Sequence, residues 1–256
     1  MEVVPQEVRF AAAKLAAFNR NRVKLETSGA TSASAGNIVT VTLPENAVID
    51  LKSFKVHMRL ETNANGVGTA AHVFAKLPAD VSSLISNFEV YIGGVQVSQS
   101  CAEFNSCCKI LKIARSSRDR DGSIDSTLAH GAITTSEAID DVNVVFAPPI
   151  GFFAESATRY MPTSITGPIT VRFTMAPNSV LAHKLNAVIH GTNLTPQGIL
   201  NAATTSYLAT DIFATVDTVS IDPMYEQMLL DRLSREDFLP VNFKSYYTYS
   251  LHGSTG

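Results

Sequence analysis

Residues 86–98, SNFEVYIGGVQVS, and residues 167–178, GPITVRFTMAPN, decide the fold of this 256-residue chain. In the first stretch, apolar and polar residues alternate up to a Gly-Gly pair and alternate again beyond it, a pattern typical of a β-hairpin. In the second stretch, the same alternation runs between two proline turns, which predicts a half-buried strand. The apolar members of both stretches should face one common core: Val90, Ile92, Val171 and Phe173.

Further runs with the same alternation predict a chain made mainly of short antiparallel strands, at residues 22–27, 37–43, 53–62, 139–146, 207–221 and 238–251. The segments 29–36 and 63–68 contain small, polar, turn-prone residues and are predicted to be loops. Helical spacing of apolar residues appears at 103–115 and again after the Asp-Pro pair at 222–223. The predicted fold class is therefore all-β, an antiparallel jelly-roll β-sandwich with a few short helices.

Composition restricts the classes of function. The chain is 45% hydrophobic and 17% charged, with a net charge of −3, so no overall positive charge attracts nucleic acid or an anionic surface. The low charge content indicates that much of the surface meets protein. A chain of this length has room for one large core or two smaller ones.

The three cysteines and the first residues bear on the cellular compartment. Cys101, Cys107 and Cys108 cannot all pair within the chain, and a bond between the adjacent pair would be strained. The first ten residues include acidic side chains and no unbroken apolar run, and no stretch approaches the ~20 apolar residues of a membrane span. We expect a protein that is made and kept in a cytoplasm.

The N-terminal residues 6–19 have apolar side chains at helical spacing and a local excess of positive charge. One interpretation is a solvated helix face beside an ordinary core contact. The other is an arm that reaches a partner subunit or a lipid headgroup. The candidate contact residues for such an arm are Arg9, Lys14, Phe18, Arg20 and Arg22.

The order of these elements resembles that of double jelly-roll major capsid proteins of tailless icosahedral viruses, a group that includes phages with an internal membrane and relatives of the adenovirus hexon. The resemblance covers most of residues 20–250 and rests on these segments: SLISNFEVYIGGVQV at 83–97, EFN at 103–105, YMP at 160–162, GPITVRFTMAPN at 167–178, DIF at 211–213 and IDPMY at 221–225. It implies two eight-stranded jelly rolls side by side, three copies in a pseudo-hexagonal capsomer, and N-terminal segments that touch neighbours or an inner membrane.

On this basis the chain divides into an N-terminal amphipathic arm at 1–20, a first jelly roll at 21–185, a linker at 186–206 and the start of a second jelly roll at 207–256. The last segment has room for only two or three strands, so the second roll is incomplete in this chain.

The function implied by the resemblance is a structural one: a major capsid protein that forms homotrimers and an icosahedral shell. Its partners would be other copies of itself, neighbouring capsomers, minor capsid proteins and an internal lipid membrane, with no specific nucleic acid. It would reside in the virion capsid, and in the host cytoplasm before assembly. The alternative is a β-sandwich carbohydrate-binding or adhesion module, for which the tyrosines at 246, 247 and 249 are a candidate stacking platform, although packing within a sandwich or interface is the simpler interpretation of them.

Motifs for catalysis give no positive signal. The glycines at 66–68 lie between strands without a βαβ setting, and the aspartates at 119, 121 and 125 lack the glycine position and the closing glutamate of a calcium loop. The six histidines have no short ligand spacing, and no Gly-x-Ser-x-Gly segment occurs. We therefore expect a protein that is not an enzyme and has no cofactor or metal.

Overall fold

The computed structural model describes residues 19–62, 64–67, 70–98, 103–114, 141–185, 206–220, 223–236 and 241–246. Most of these residues lie in strands: β1 (Asn19–Glu26), β2 (Ala33–Ser34), β3 (Ile38–Thr42), β4 (Val48–Thr62), β5 (Ala64–Val67), β6 (Ala70–Lys76), β7 (Ile85–Ile92), β8 (Val95–Ser98), β9 (Asp141–Phe146), β10 (Tyr160–Pro162), β11 (Ile169–Met175), β12 (Ala182–Leu185) and β13 (Tyr207–Ser220). The helices are α1 (Phe104–Ile113), α2 (Phe152–Glu155), α3 (Thr163–Thr166) and α4 (Pro223–Glu236), with 3₁₀ turns at Val81–Leu84 and Asn178–Val180.

Sheet A has six strands in the order β1-β13-β4-β10, with β2 beside β13 and β9 beside β4. The 15-residue strand β4 is long enough to pair with β10 at one end and with β9 at the other, while β13 runs along its opposite edge. All these pairings are antiparallel. The two long strands β4 and β13 therefore form the centre of the sheet.

Sheet B contains the two stretches that decide the fold, and it has the order β3-β11-β7-β8. The hairpin turns at Gly93 and Gly94, whose φ angles of 56° and 82° lie in the left-handed region that a two-residue hairpin of this kind requires. Strand β11 pairs with β7 on one side and with β3 on the other, so that Phe173 lies opposite both Phe88 and Val39. The strands β12, β6 and β5 form a separate three-stranded sheet.

The core lies between sheets A and B, because the alternating side chains of both sheets enter one hydrophobic cluster. The predicted core positions are confirmed: Val90, Val171 and Phe173 are buried, and Ile92 is partly buried against the same cluster. Phenylalanine rings fill much of the space, including Phe54, Phe88, Phe104, Phe146, Phe152 and Phe153. Adjacent rings are stacked or edge-to-face, with the Phe54 and Phe153 ring centres 4.5 Å apart. The predicted all-β antiparallel sandwich with a few short helices is thus confirmed.

The domain boundary predicted at residue 206 stays a prediction, and the strand that follows it pairs with strands that precede it. Strand β13, which was expected to begin a second roll at 207–256, lies between β1 and β4 at the centre of sheet A. The physical reason is burial on both faces: residues 214–217 are buried in succession, which only a central strand of a covered sheet achieves. Tyr207 supports the placement, because its buried hydroxyl donates a hydrogen bond to the Ala176 carbonyl oxygen at 2.6 Å. The presence of a second roll stays a prediction.

The predictions for two short segments also differ from the structure. The segment 63–68 was expected to be a loop, but Ala64–Val67 pairs with Ala70–Lys76 as a hairpin. Residues 241–246 were expected within a strand, yet they are irregular, and Val241, Phe243 and Tyr246 pack against the core instead. The helices predicted after 103 and after 222 are confirmed, and the helix predicted at 6–19 falls almost wholly outside the described residues.

Candidate functional site: an arginine–aspartate cluster on strand β1

The structure places two of the predicted contact residues, Arg20 and Arg22, on strand β1 at the edge of sheet A. Arg9, Lys14 and Phe18 lie outside the described residues. Because successive side chains of a strand point to opposite faces, the two arginines share the face opposite to Leu25, which is buried in the core. Both guanidinium groups therefore lie over the outer face of the sheet.

Two aspartates lie beneath them on the central strands. Asp217 of β13 is the direct cross-strand neighbour of Arg22, and Asp50 of β4 is the direct neighbour of Asp217. Asp50 is fully buried, and the Asp217 side chain is 4% exposed. Two like charges directly opposite each other destabilise a sheet unless other groups compensate them.

Three arginines supply that compensation. Arg20 Nη2 contacts both carboxylates, at 3.0 Å from Asp50 Oδ2 and 2.6 Å from Asp217 Oδ2. Arg22 Nε lies 2.9 Å from Asp217 Oδ1. Arg159 directly precedes β10, which pairs with β4 on the edge away from β13, and it donates to Asp50 through both Nε and Nη2, at 3.0–3.2 Å. We call these five residues the arginine–aspartate cluster.

A backbone amide supports the Asp50 carboxylate, and Ser53 links the backbones of the two aspartates. Lys52 N–H donates to Asp50 Oδ1 at 3.2 Å, and Ser53 Oγ donates to the Asp50 carbonyl oxygen at 2.6 Å. The Ser53 hydroxyl in turn accepts the Asp217 N–H at 2.7 Å, at a point where the register between β4 and β13 shifts. Charged and hydrogen-bonded partners thus meet the cost of burying both aspartates.

The electrostatics favour the ionised form of every group for which a shift is resolved. The hydrogen bond from Arg22 holds the pKa of Asp217 below its ordinary value, against the opposing effect of burial, and the charge of Arg20 adds to the lowering. The same pair raises the pKa of Arg22, and the hydrogen bond to Asp50 raises the pKa of Arg159. Asp217, Arg22 and Arg159 are therefore held in their charged forms around neutral pH.

Sequence reasoning named Arg20 and Arg22 as contacts to a partner or a membrane, a role that stays a prediction, and missed Asp50, Asp217 and Arg159. A signal was present, because aspartate is depleted in strands and both aspartates stand within runs of β-branched and apolar residues, VID at 48–50 and TVDTVS at 215–220. A buried carboxylate in such a run requires a cationic partner, and β1 contains two arginines.

The other residues singled out from the sequence fall in different places. Cys107 is partly buried and Cys108 is buried on α1, and neither forms a disulfide bond. Tyr246 is half-buried, and burial together with its hydrogen bond to Glu155 raises its pKa to about 12. Asp119, Asp121 and Asp125, together with Tyr247 and Tyr249, lie outside the described residues. Within the described ranges there is no group of three or more side chains arranged to hold a metal ion, and no helix long and apolar enough to cross a membrane.

The lowered pKa of Asp217 predicts acid sensitivity of the fold. A carboxylate whose pKa is lower in the folded state stabilises the protein above its unfolded pKa of about 3.9, and this contribution disappears as the pH falls through the folded value. We expect the stability difference between wild type and Asp217→Asn to be largest near pH 7 and to shrink below about pH 4. Thermal unfolding from pH 7 to pH 2 measures it, and parallel curves for the two proteins would contradict the assignment.

Comparison with known proteins gives matches among solved structures only. No model of a protein family matches the chain, and no curated protein matches it. VP54 of PBCV-1, fitted into a reconstruction of the virophage Sputnik, aligns with a TM-score of 0.48 and 17% identity over 82% of this chain and 44% of that chain. The PBCV-1 virus capsid aligns with a TM-score of 0.46 and 16% identity over the same shares. The major capsid protein P2 of bacteriophage PM2 aligns with a TM-score of 0.31 and 11% identity over 79% of this chain and 51% of that chain.

The chain thus spans about half the length of the solved chains that it matches.

Proposed function

We propose that this chain is part of a viral major capsid protein that associates into trimeric, pseudo-hexagonal capsomers and with them into an icosahedral shell. The observation that carries the proposal is the pairing within sheet B. The two longest of the segments on which the family resemblance rests contain neighbouring strands there, β7 and β11, with the β7–β8 hairpin at the edge. The mechanism is association, not turnover.

Open edges and exposed apolar side chains support self-association. Sheet B ends at β8, where Val95 is 70% exposed. On the outer side of α1, Ile110 is 68% exposed and Leu111 is 38% exposed. Unpaired strand edges and exposed apolar groups lower the free energy of a sandwich when a second copy covers them. Many repeated contacts of modest strength are enough to close a shell.

The N-terminal segment is proposed as the anchoring arm of this assembly. Arg20 and Arg22 already pair with buried aspartates of their own sheet, so a partner would compete with the arginine–aspartate cluster for them. The contacts to acidic groups or lipid headgroups are therefore assigned to residues 1–18, with Arg9 and Lys14 as the cations and Phe18 as an apolar contact. Minor capsid proteins and an internal membrane are the proposed partners of the arm.

The test of assembly is the mass of the particles that the purified chain forms. We expect a trimer, three times the 27.5 kDa of the chain, by size-exclusion chromatography with light scattering. A variant with Val95→Glu and Ile110→Glu should be monomeric with unchanged unfolding, because both side chains are exposed. Lys52→Glu, at an exposed position of β4, is the matched control and should stay trimeric.

A deletion of residues 1–18 tests the arm within the same experiment. It must end before Asn19, because a longer deletion would remove Arg20 and weaken sheet A. The truncated chain should unfold like the full chain but fail to form shells or to bind vesicles. A wild-type chain that stays monomeric at high concentration and at every salt concentration would overturn the proposal, and unchanged shell formation by the truncated chain would overturn the role of the arm.

The alternative function is a β-sandwich carbohydrate-binding or adhesion module. Its specific support was the tyrosine run, of which the structure describes only Tyr246. That hydroxyl donates to Glu155 Oε1 at 2.9 Å, and the ring packs against the core, so it is not presented as a stacking platform. A stable monomer that is retained on a column of immobilised glycans would favour this alternative.

A further inference from the structure

A half-open polar cavity of about 310 Å³ lies where α1 meets the two 3₁₀ turns. Its wall is formed by hydroxyl and amide groups, two apolar side chains and one lysine: Ser83, Ser106, Ser179, Asn105, Pro78, Val180 and Lys109. The volume lies at the lower end of the range of about 300–1,000 Å³ found for ligand pockets, which suits one small molecule.

The charge of the cavity is set by Lys109. No carboxylate is among the lining residues, and Lys109 is exposed on α1 without an ion pair to any described residue. Asp80, the acidic residue between Pro78 and Ser83 in the sequence, already has an ion-pair partner and a hydrogen-bond donor. Its carboxylate lies 2.6 Å from Lys112 Nζ and accepts the Ser82 N–H at 2.9 Å. The cavity therefore has one positive charge available for a ligand.

The walls are held in place without a ligand. The Ala176 N–H donates to the Leu84 carbonyl oxygen at 2.8 Å, which ties the segment before the second 3₁₀ turn to the first one. The buried pair of Lys112 with Asp80 joins α1 to the same turn. Val180 packs against the core, so the apolar wall is also fixed. A preformed site of this kind loses little conformational entropy on binding.

Unmet hydrogen-bonding capacity is found next to the cavity. Ser82 Oγ and Asn178 Oδ1 are buried and lack a hydrogen-bond partner among the described groups. Each belongs to the residue immediately before a lining serine, Ser83 or Ser179. Buried polar atoms without partners are uncommon, so two of them in the segments around one cavity indicate a region that accommodates further polar groups.

We propose that this cavity binds a single acidic sugar residue. The Lys109 ammonium pairs with the sugar carboxylate, the three serine hydroxyls and the Asn105 amide bond the ring hydroxyls, and Pro78 with Val180 contacts the apolar ring face. Hydroxyl-rich walls with one cation match a polyol that carries one carboxylate better than a fully apolar or a highly charged ligand. Asn105, Ser106 and Lys109 share α1 with the exposed Ile110 and Leu111 proposed for self-association, but no cavity residue is replaced or deleted in the assembly test. The binding test and the assembly test can therefore fail separately.

Isothermal titration of the full chain with three probes tests the ligand class. Methyl β-D-glucuronide should bind, while methyl β-D-glucoside, which lacks the carboxylate, and sodium acetate, which lacks the ring, should each bind at least about tenfold more weakly. Equal binding of the glucoside would overturn the role of charge, and equal binding of acetate would overturn the role of the sugar. No binding of the glucuronide at millimolar concentrations would overturn the site.

Variants of two exposed lysines and one serine locate the binding. Lys109→Gln should weaken glucuronide binding by about tenfold, and Lys52→Gln, at an exposed position outside the cavity, should leave it unchanged. Ser179→Phe fills the cavity from an exposed position and should abolish binding without changing the unfolding temperature. Unchanged binding by both Lys109→Gln and Ser179→Phe would place any bound sugar elsewhere and overturn the proposal.

Discussion

Replacing Phe173 with alanine is expected to lower the free energy of unfolding by about 3–5 kcal/mol. The side chain is only 1% exposed, and it lies on β11 between Val39 of β3 and Phe88 of β7. Its removal leaves a cavity at the centre of sheet B, and the neighbouring side chains on β3 and β7 cannot move far enough to fill it. Denaturant unfolding followed by circular dichroism measures the loss.

Thr174→Ala is the matched control, because Thr174 is the next residue of the same strand and its side chain points to the other face of the sheet. A change below about 0.5–1 kcal/mol is expected there. A Phe173→Ala variant that loses no more stability than Thr174→Ala would show that sheet B does not pack as described.

The combined replacement of Arg20 and Arg22 by alanine is expected to have the second large effect, the release of strand β1 from sheet A. The Asp217 carboxylate, 4% exposed, would remain buried without either of its cations. The arginines are partly exposed and can turn to water when a carboxylate is removed, whereas the buried carboxylate cannot. The double arginine variant should therefore be less stable than Asp217→Asn, although Asp217→Asn breaks the same contacts.

Hydrogen exchange measured by mass spectrometry distinguishes the double arginine variant from Asp217→Asn by the protection of the β1 amides. In the double arginine variant the amides of β1 should lose protection, because an edge strand without its ion pairs opens locally. Adding Asp217→Asn to the double variant should restore part of the stability, since it removes the buried charge. If the triple variant is less stable than the double variant, the cluster does not act through the burial of Asp217.

Local patterns were sufficient for the elements of the fold. Period-two alternation identified the β7–β8 hairpin, β11 and β13 as strands, and helical spacing identified α1 and α4. These signals are contained in windows of about ten residues, where side-chain direction follows directly from backbone geometry. The core positions Val90, Val171 and Phe173 followed from the same alternation.

The pairing of distant strands could not be predicted in this way. Whether β13 joins the strands before it or begins a new sandwich depends on contacts with β1 and β4. The sequence of β13 alone does not indicate which strands it pairs with. The same limit hid the arginine–aspartate cluster, because Arg159 reaches Asp50 from a position 109 residues away. The available signal for the cluster was a residue type that is uncommon in strands, such as the aspartate at Asp217.

The position of β13 at the centre of sheet A has a consequence for how the chain matures. Arg22 and Asp217 are 195 residues apart, and β1 and β4 lack their shared neighbour until residues 207–220 have been synthesised. A ribosome-bound nascent chain therefore has two unpaired strand edges until β13 emerges, and closing so long a loop costs entropy before any contact compensates for it. The sandwich should acquire its native sheet only after residues 207–220 have left the ribosome, slowly, on the scale of milliseconds to seconds typical of such topologies. In a crowded cell producing many copies at once, the competing reaction is pairing between the exposed edges of different nascent chains, so the yield of folded subunits will depend on the rate of translation and on chaperones.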